Sequence, residues 1–280
     1  MSESDMPTAV TRAKEYYDSP DADEFYYRVW GGEDIHVGMY LKAGEAISEA
    51  SERTVRHMAH KIKRFLPGTQ VLDIGSGYGG SARYLAREKG YRVICLNLSE
   101  AQNQRNREMN LEQGQSVLVD VIDGNFEDLP FDDASFDVVW SQDAILHSGR
   151  RQRVFEEVDR VLRPGGEFVF TDPMQTEDAD PETIRPVLER IDLEGLGSPE
   201  VYEAYAEGLN WEIVDKELLP AQLGMHYTTV LNTLVSREHE LVQWCSLDYL
   251  ERMKNGLRLW IDAGENNDLT WGFFHFRKPD

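Results

Sequence analysis

A chain of 280 residues, 41% of them hydrophobic, can bury a full core and is too apolar to be disordered. Its 51 acidic residues against 29 basic ones leave a net charge of −22, which repels phosphate and argues against a nucleic-acid partner. Cys95 and Cys245 offer neither a disulfide framework nor a ligand cluster, the opening MSESDMPTAV lacks the pattern of a secretory leader, and no apolar run reaches the ~18 residues of a membrane span; a cytoplasmic protein without a membrane partner is expected.

Helical patterning covers about residues 8–30, with a break at Ser19-Pro20. The stretch FYYRVWGGEDIHVGMY, from Phe25 to Tyr40, then packs five aromatics and three glycines into sixteen residues. It is either a hydrophobic clasp for the N-terminus or part of a site for a ligand that favours aromatic faces. A helix is expected over 45–65, where Ala46, Ala50, Met58 and Ile62 recur at near-helical spacing, with Pro67-Gly68 ending it. His57 and His60 share one face of that helix, but no third ligand accompanies them, so a solvated face and no metal are expected.

From there short apolar runs alternate with helical segments. Strands are expected at 70–74, 92–96, 117–122, 136–141 and 167–171, and helices around 81–89, 100–113 and 151–162. Such alternation means parallel strands covered by helices. Residues 176–208 are acidic and helix-like with proline breaks. A strand at 211–219, two helices within 222–263 and an aromatic strand at 269–277 follow, the last expected to join the sheet antiparallel. The organisation expected is an N-terminal helical lid (1–64), a Rossmann-like core (65–175) and a helical insertion with closing strands (176–280).

VLDIGSGYGG carries the strongest local chemistry. A strand runs into Gly75, Gly77, Gly79 and Gly80, where the backbone can turn sharply and approach a ligand. The spacing satisfies G-x-G-x-x-G, a pattern that a dinucleotide-dependent oxidoreductase would also show. Asp73, ahead of the first glycine, would repel a pyrophosphate but suit a cationic ligand, and no second glycine-rich turn is present.

This pattern resembles the first motif of class I S-adenosylmethionine-dependent methyltransferases, whose acidic residue faces the amino group of the cofactor. Further down, VICLNLSEAQ, DGNFEDLPF and VLRPGGEFVFTDPM match later motifs of the same family. The resemblance implies a mostly parallel seven-stranded sheet with an antiparallel last strand, and S-adenosyl-L-methionine as cofactor, with S-adenosyl-L-homocysteine as product. It also implies cofactor contacts from Asp73, Gly75, Gly77, Gly79, Asn97, Leu98, Gln102, Asn125, Phe126 and Gln142. Asn97 departs from the ribose-binding acid of the family and Asn125 from its aspartate near the adenine. A neutral amide at position 97 binds hydroxyls with less charge assistance.

WSQDAILHS, at the mouth of the fourth strand, places His147 where it could orient or deprotonate an acceptor. Asp172-Pro173-Met174 ends the fifth strand toward the same crevice. Together with YYDSPDADEFYYRVWGGEDIHVGMY, YLERMKNGL and LTWGFFHFRK, these stretches look like the sarcosine/dimethylglycine N-methyltransferases of betaine-making halophiles, over nearly the whole chain. On that likeness the acceptor is a small amine, closed over by Tyr26, Tyr27 and Trp30, with Pro173 and Met174 beside it. Arg28, His226 and Tyr227 are alternative donors for its carboxylate, and Tyr17 is a catalytic candidate by analogy with phosphobase methyltransferases. A phosphoethanolamine methyltransferase and a non-catalytic cofactor-binding regulator are the other readings. A chain with 21 Arg, 8 Lys and this much acid stays hydrated in strong salt, so a salt-adapted host is expected.

Overall fold

The computed structural model describes residues 8–63, 65–191 and 193–280. Helices α1 (Thr8–Tyr17) and α2 (Pro20–Val29) are parted where the sequence breaks. The Ser19 hydroxyl accepts from the Ala22 amide and Pro20 opens the next helix, so a new N-terminus is capped at the point where the old one stops. Helix α3 (Ile47–Lys61) ends well before Pro67, because Ile62 already adopts an extended backbone (ψ 98°); the proline is not its terminator.

Strands β1 (Gln70–Ile74), β2 (Arg92–Asn97), β3 (Val119–Asp123), β4 (Phe136–Gln142) and β5 (Leu162–Gln175) alternate with helices α4 (Gly80–Lys89), α5 (Glu100–Glu112) and α6 (Arg151–Val161). Helices α7 (Pro181–Arg190) and α8 (Pro199–Gly208) fill the acidic insertion. Strand β6 (Glu212–Leu218), helices α9 (Pro220–Leu241) and α10 (Leu247–Glu265) and strand β7 (Leu269–Arg277) complete the chain. The seven strands form one sheet in the order β3-β2-β1-β4-β5-β7-β6, parallel except for β7, which runs antiparallel between β5 and β6.

β3 and β5 depart most from their expected bounds, β5 beginning already at Leu162. Val117 and Leu118 lie outside β3, because the Leu118 amide closes a turn onto the Gln115 carbonyl. β5 continues through Pro173 and Met174 as far as Gln175. Its pairing with β4 stops at Thr171, so one edge is unpartnered where the proline sits.

Alternate strand residues enter two cores on opposite faces of the sheet. Val138, Trp140 and Val169 pack with Phe25, Trp30, Tyr78, Leu223 and Trp260, which come from all three expected segments of the chain. Val139, Phe168 and Phe170 pack with Phe155, Tyr202, Phe274 and Phe276 on the other side. The strand order reverses between β1 and β4, so the carboxyl ends of these neighbours open a crevice, the usual ligand position in such sheets.

Candidate active site

The loop after β1 can lie against the loop after β4 because Gly75 has no side chain. Its φ is +76°, and a Cβ there would fall 2.3 Å from that of Ala144. The cavity above them is lined by Gly75 and Gly77 from β1, by Asn97, Leu98 and Gln102 beyond β2, and by Phe126, Gln142 and Ala144. The Asn97 amide donates to Gln102 Oε1 at 2.8 Å. That leaves the side-chain Oδ1 of Asn97 available as an acceptor, with the buried and unpartnered Gln102 Nε2 beside it as a donor. Gln142 Nε2 and Ser76 Oγ are likewise buried without a partner among the described residues. A cradle with unspent donors and acceptors, the aromatic ring of Phe126 and tight glycine turns fits a nucleoside.

Asp73 lies in an adjoining recess with Asp34, His36, Ser76 and Gln142. Burial pushes its carboxyl up to about 8, with His36 pulling the other way. An acid so disfavoured as an anion regains its charge when a cation is bound beside it. The recess therefore suits the amino group of S-adenosylmethionine.

A second cavity adjoins the first and shares Tyr17, Ile35, Asp143 and His147 with it as a common wall. His147 closes a 3₁₀ turn (Ile145–His147) after β4. Asp172 anchors that turn by accepting from the Leu146 amide at 3.1 Å and from the Tyr202 hydroxyl at 2.5 Å. His147 Nε2 lies 2.9 Å from the Tyr17 hydroxyl. Burial, with Arg151 nearby, holds the imidazole down to about 4, so it is neutral at physiological pH; burial likewise raises the Tyr17 phenol. Asp143 accepts from the Val37 amide at 2.6 Å and, through its other oxygen, from Thr171 and Trp271 at 2.8 Å. This fixes the loop 33–40 across both cavities. Burial raises the carboxyl of Asp143 as well.

Beyond the shared wall the second cavity is aromatic. Tyr17, Tyr26, Trp30, Tyr227 and Trp260 follow one another with ring centroids 5.5, 5.1, 6.1 and 4.9 Å apart. Pro173 and Arg190 complete the lining. The FYYRVWGGEDIHVGMY stretch is thus both clasp and wall: Trp30 is only 6% exposed, yet it borders the cavity.

Several expected site residues lie elsewhere. Tyr27 and Arg28 face a separate surface groove; Tyr27 packs on Tyr78, and Arg28 pairs with Glu24 and covers Trp244. His226 is wholly buried, takes a hydrogen bond from the Gly38 amide and meets the Tyr40 hydroxyl, and burial depresses it to about 3. Met174 points into the opposite core with Phe170 and Phe274, while the Asp172 carboxylate is consumed by Leu146 and Tyr202. Asn125 is spent on the Glu127 amide, and Gly79 caps α4 against Asn106 rather than lining the cavity. His57 pairs with Glu217, and the described residues contain no group of three or more metal-binding side chains. Ile35, Asp143, Arg190 and Trp260 went unread. Asp143 stands inside the quoted WSQDAILHS, whereas the insertion that carries Arg190 offered no pattern.

Fold and site define a class I S-adenosylmethionine-dependent methyltransferase. Residues 72–170 match the family model described as a methyltransferase domain. The chain is 53% identical to the sarcosine/dimethylglycine N-methyltransferase of Aphanothece halophytica, over 96% of this chain and 97% of that one. It is 51% identical to the enzyme of the same name from Halorhodospira halochloris, over the same shares. A crystal structure of a candidate sarcosine dimethylglycine methyltransferase from Galdieria sulphuraria superposes with a TM-score of 0.89 at 41% identity, covering 95% of this chain and 99% of that one. The chain belongs to the sarcosine/dimethylglycine N-methyltransferase family.

Proposed function

We propose that the protein methylates the nitrogen of sarcosine and of dimethylglycine, leading to glycine betaine. The observation that carries this is the common wall: a nucleoside-sized cradle and an aromatic cavity meet at Tyr17, Asp143 and His147. Asp73, Asn97, Gln102 and Gln142 hold the cofactor. When bound, S-adenosylmethionine would supply an electrophilic sulfonium methyl: as the acceptor nitrogen takes it in line, the carbon–sulfur bond breaks and S-adenosylhomocysteine is the leaving group.

The chain's own contribution is orientation, worth up to ~7–11 kcal/mol in favourable cases, and control of charge. The neutral His147 does not repel the positive charge that passes from sulfonium to acceptor nitrogen at the wall, and it can accept the Tyr17 proton in a hydrogen bond. The phenol oxygen, with Tyr26 also beside it, then presents a lone pair toward the acceptor cavity. Only the free amine can attack, so the proton of sarcosine or dimethylglycine passes to solvent before transfer, since His147 is too weak a base to keep it. Sarcosine's product sheds a second proton, whereas dimethylglycine's product is quaternary and keeps its charge. The faces of Tyr26, Trp30 and Tyr227 stabilise that cation by ~0.5–2 kcal/mol per contact.

The same reading places the activity in the cytoplasm of a salt-adapted cell, in osmolyte synthesis; both cysteines are free and buried and the net charge is −22. The test is an initial-rate comparison of glycine, sarcosine, dimethylglycine and phosphoethanolamine with S-adenosylmethionine. Turnover of sarcosine or dimethylglycine is expected to dominate, and turnover of phosphoethanolamine alone would overturn the reading.

A further inference from the structure

An amino-acid acceptor brings a carboxylate into the aromatic cavity, and a buried carboxylate needs donors. Of the donors expected from sequence, Arg28 faces another groove, His226 spends Nδ1 on Gly38 and Tyr40 and lies outside the lining, and Tyr227 borders the cavity but carries no positive charge. Arg190, in the last turn of α7, lines the cavity instead. It reaches there across α10 at Gly256, where a Cβ would fall 1.5 Å from its Nε and 2.1 Å from its Cδ. The guanidinium lies beside Tyr16, Tyr26 and Tyr249 and against the Met253 sulfur.

Arg190 has no carboxylate partner among the described residues, although Arg28, Arg53, Arg105 and Arg160 each have one. In a chain with 51 acids for 29 bases, a half-buried arginine that pairs with no acid among the described residues keeps its charge open to a ligand. A second, independent observation concerns the same cavity. Trp30 borders it, and its indole Nε1 is buried and unpartnered among the described residues.

We infer that Arg190 and the indole N–H of Trp30 form the carboxylate anchor of the acceptor cavity and set its preference for amino acids over amines lacking that group. The inference rests on the proposed acceptor class. Chemically, the planar guanidinium fork matches a carboxylate, and the indole adds a donor that cannot accept in return. The nitrogen end is left to the wall of Tyr17, Asp143 and His147.

The test compares wild type with Arg190→Gln, Trp30→Phe and Gly256→Ala, using dimethylglycine and its carboxamide as acceptors. Melting temperature and S-adenosylhomocysteine affinity serve as controls. Arg190→Gln is expected to raise KM for dimethylglycine roughly 10- to 100-fold, the scale of a lost charge-assisted hydrogen bond. It should also erase the preference over the carboxamide while leaving cofactor affinity unchanged. Trp30→Phe keeps an aromatic face but removes the N–H, and should shift KM in the same direction by less. Gly256→Ala keeps every charged group but displaces the guanidinium, and should also raise KM; it carries the test if Arg190→Gln does not fold. KM within twofold of wild type in a folded Arg190→Gln or Gly256→Ala enzyme overturns the anchor alone. A wild-type enzyme inactive on every amino acid overturns the acceptor reading and the anchor with it.

Discussion

The hydroxyl of Tyr17, in α1, lies 2.9 Å from Nε2 of His147, although 130 residues separate them in the chain. Neither group is charged at neutral pH, and both border the cofactor cavity and the acceptor cavity. If the pair acts as one unit, Tyr17→Phe and His147→Ala should each lower kcat for dimethylglycine by ~10²-fold, the low end for positioned proton-handling groups. The double variant should fall little further. S-adenosylhomocysteine affinity should stay within about threefold by calorimetry, since a change confined to the wall leaves the nucleoside contacts intact. Additive losses in the double variant would show two independent residues.

Asp73 links cofactor binding to protons. Burial keeps its carboxyl protonated up to about 8 in the free protein. A bound amino group stabilises the anion and lowers that value, so binding expels a proton at any pH between the two. Affinity for S-adenosylhomocysteine should therefore increase as pH rises toward about 8, with close to one proton released near neutrality. Calorimetry in buffers of different ionisation enthalpy measures this directly. Asp73→Asn should abolish the release; its persistence would place the cofactor's amino group elsewhere.

Tyr202 acts on the site through Asp172. Both are fully buried, and their 2.5 Å hydrogen bond leaves the other carboxylate oxygen to hold the Leu146 amide. Tyr202→Phe should cost about 1–3 kcal/mol of stability by denaturant unfolding, because a buried acceptor loses its donor. It should also reduce kcat by loosening the turn that ends in His147. Unchanged stability would mean that the phenol contributes nothing to the core.

The acidic surface leads to a solution prediction. The N-terminal helices are fastened by ion pairs such as Lys14 to Glu100 and Arg105 to Asp23. Partly exposed pairs of this kind are worth about 0–1 kcal/mol each. Screening should relieve the self-repulsion of the −22 charge more than it weakens these ties. Solubility and melting temperature should hold or rise in ~1 M potassium chloride, where the Debye length is about 3 Å. Precipitation there would contradict a salt-adapted host.

The alternation of strands and helices was legible because a parallel sheet buried on both faces leaves short apolar runs between helical patterns. The antiparallel β7 was legible from its aromatic run following a long helical stretch. The cofactor cradle was readable from VLDIGSGYGG, since a glycine turn against another loop leaves a local signature. The acceptor side was harder. Tyr26 and Trp30, four residues apart, share a helix face and meet the cavity, whereas Tyr27 and Arg28 turn away from it, a distinction that helical spacing alone could have made. Arg190, Gly256 and Trp260 come together only through the packing of α7 on α10, which no short motif encodes.

The two cavities meet at the wall of Tyr17, Ile35, Asp143 and His147, and methyl transfer requires that cofactor and acceptor meet there too. A crystal structure with S-adenosylhomocysteine and glycine betaine bound together tests this directly. The sulfur is expected on the Gly75 side of that wall, with the trimethylammonium facing it among Tyr26, Trp30 and Tyr227. Betaine found instead in the groove between Tyr27 and Arg237, with the aromatic cavity holding only solvent, would contradict it.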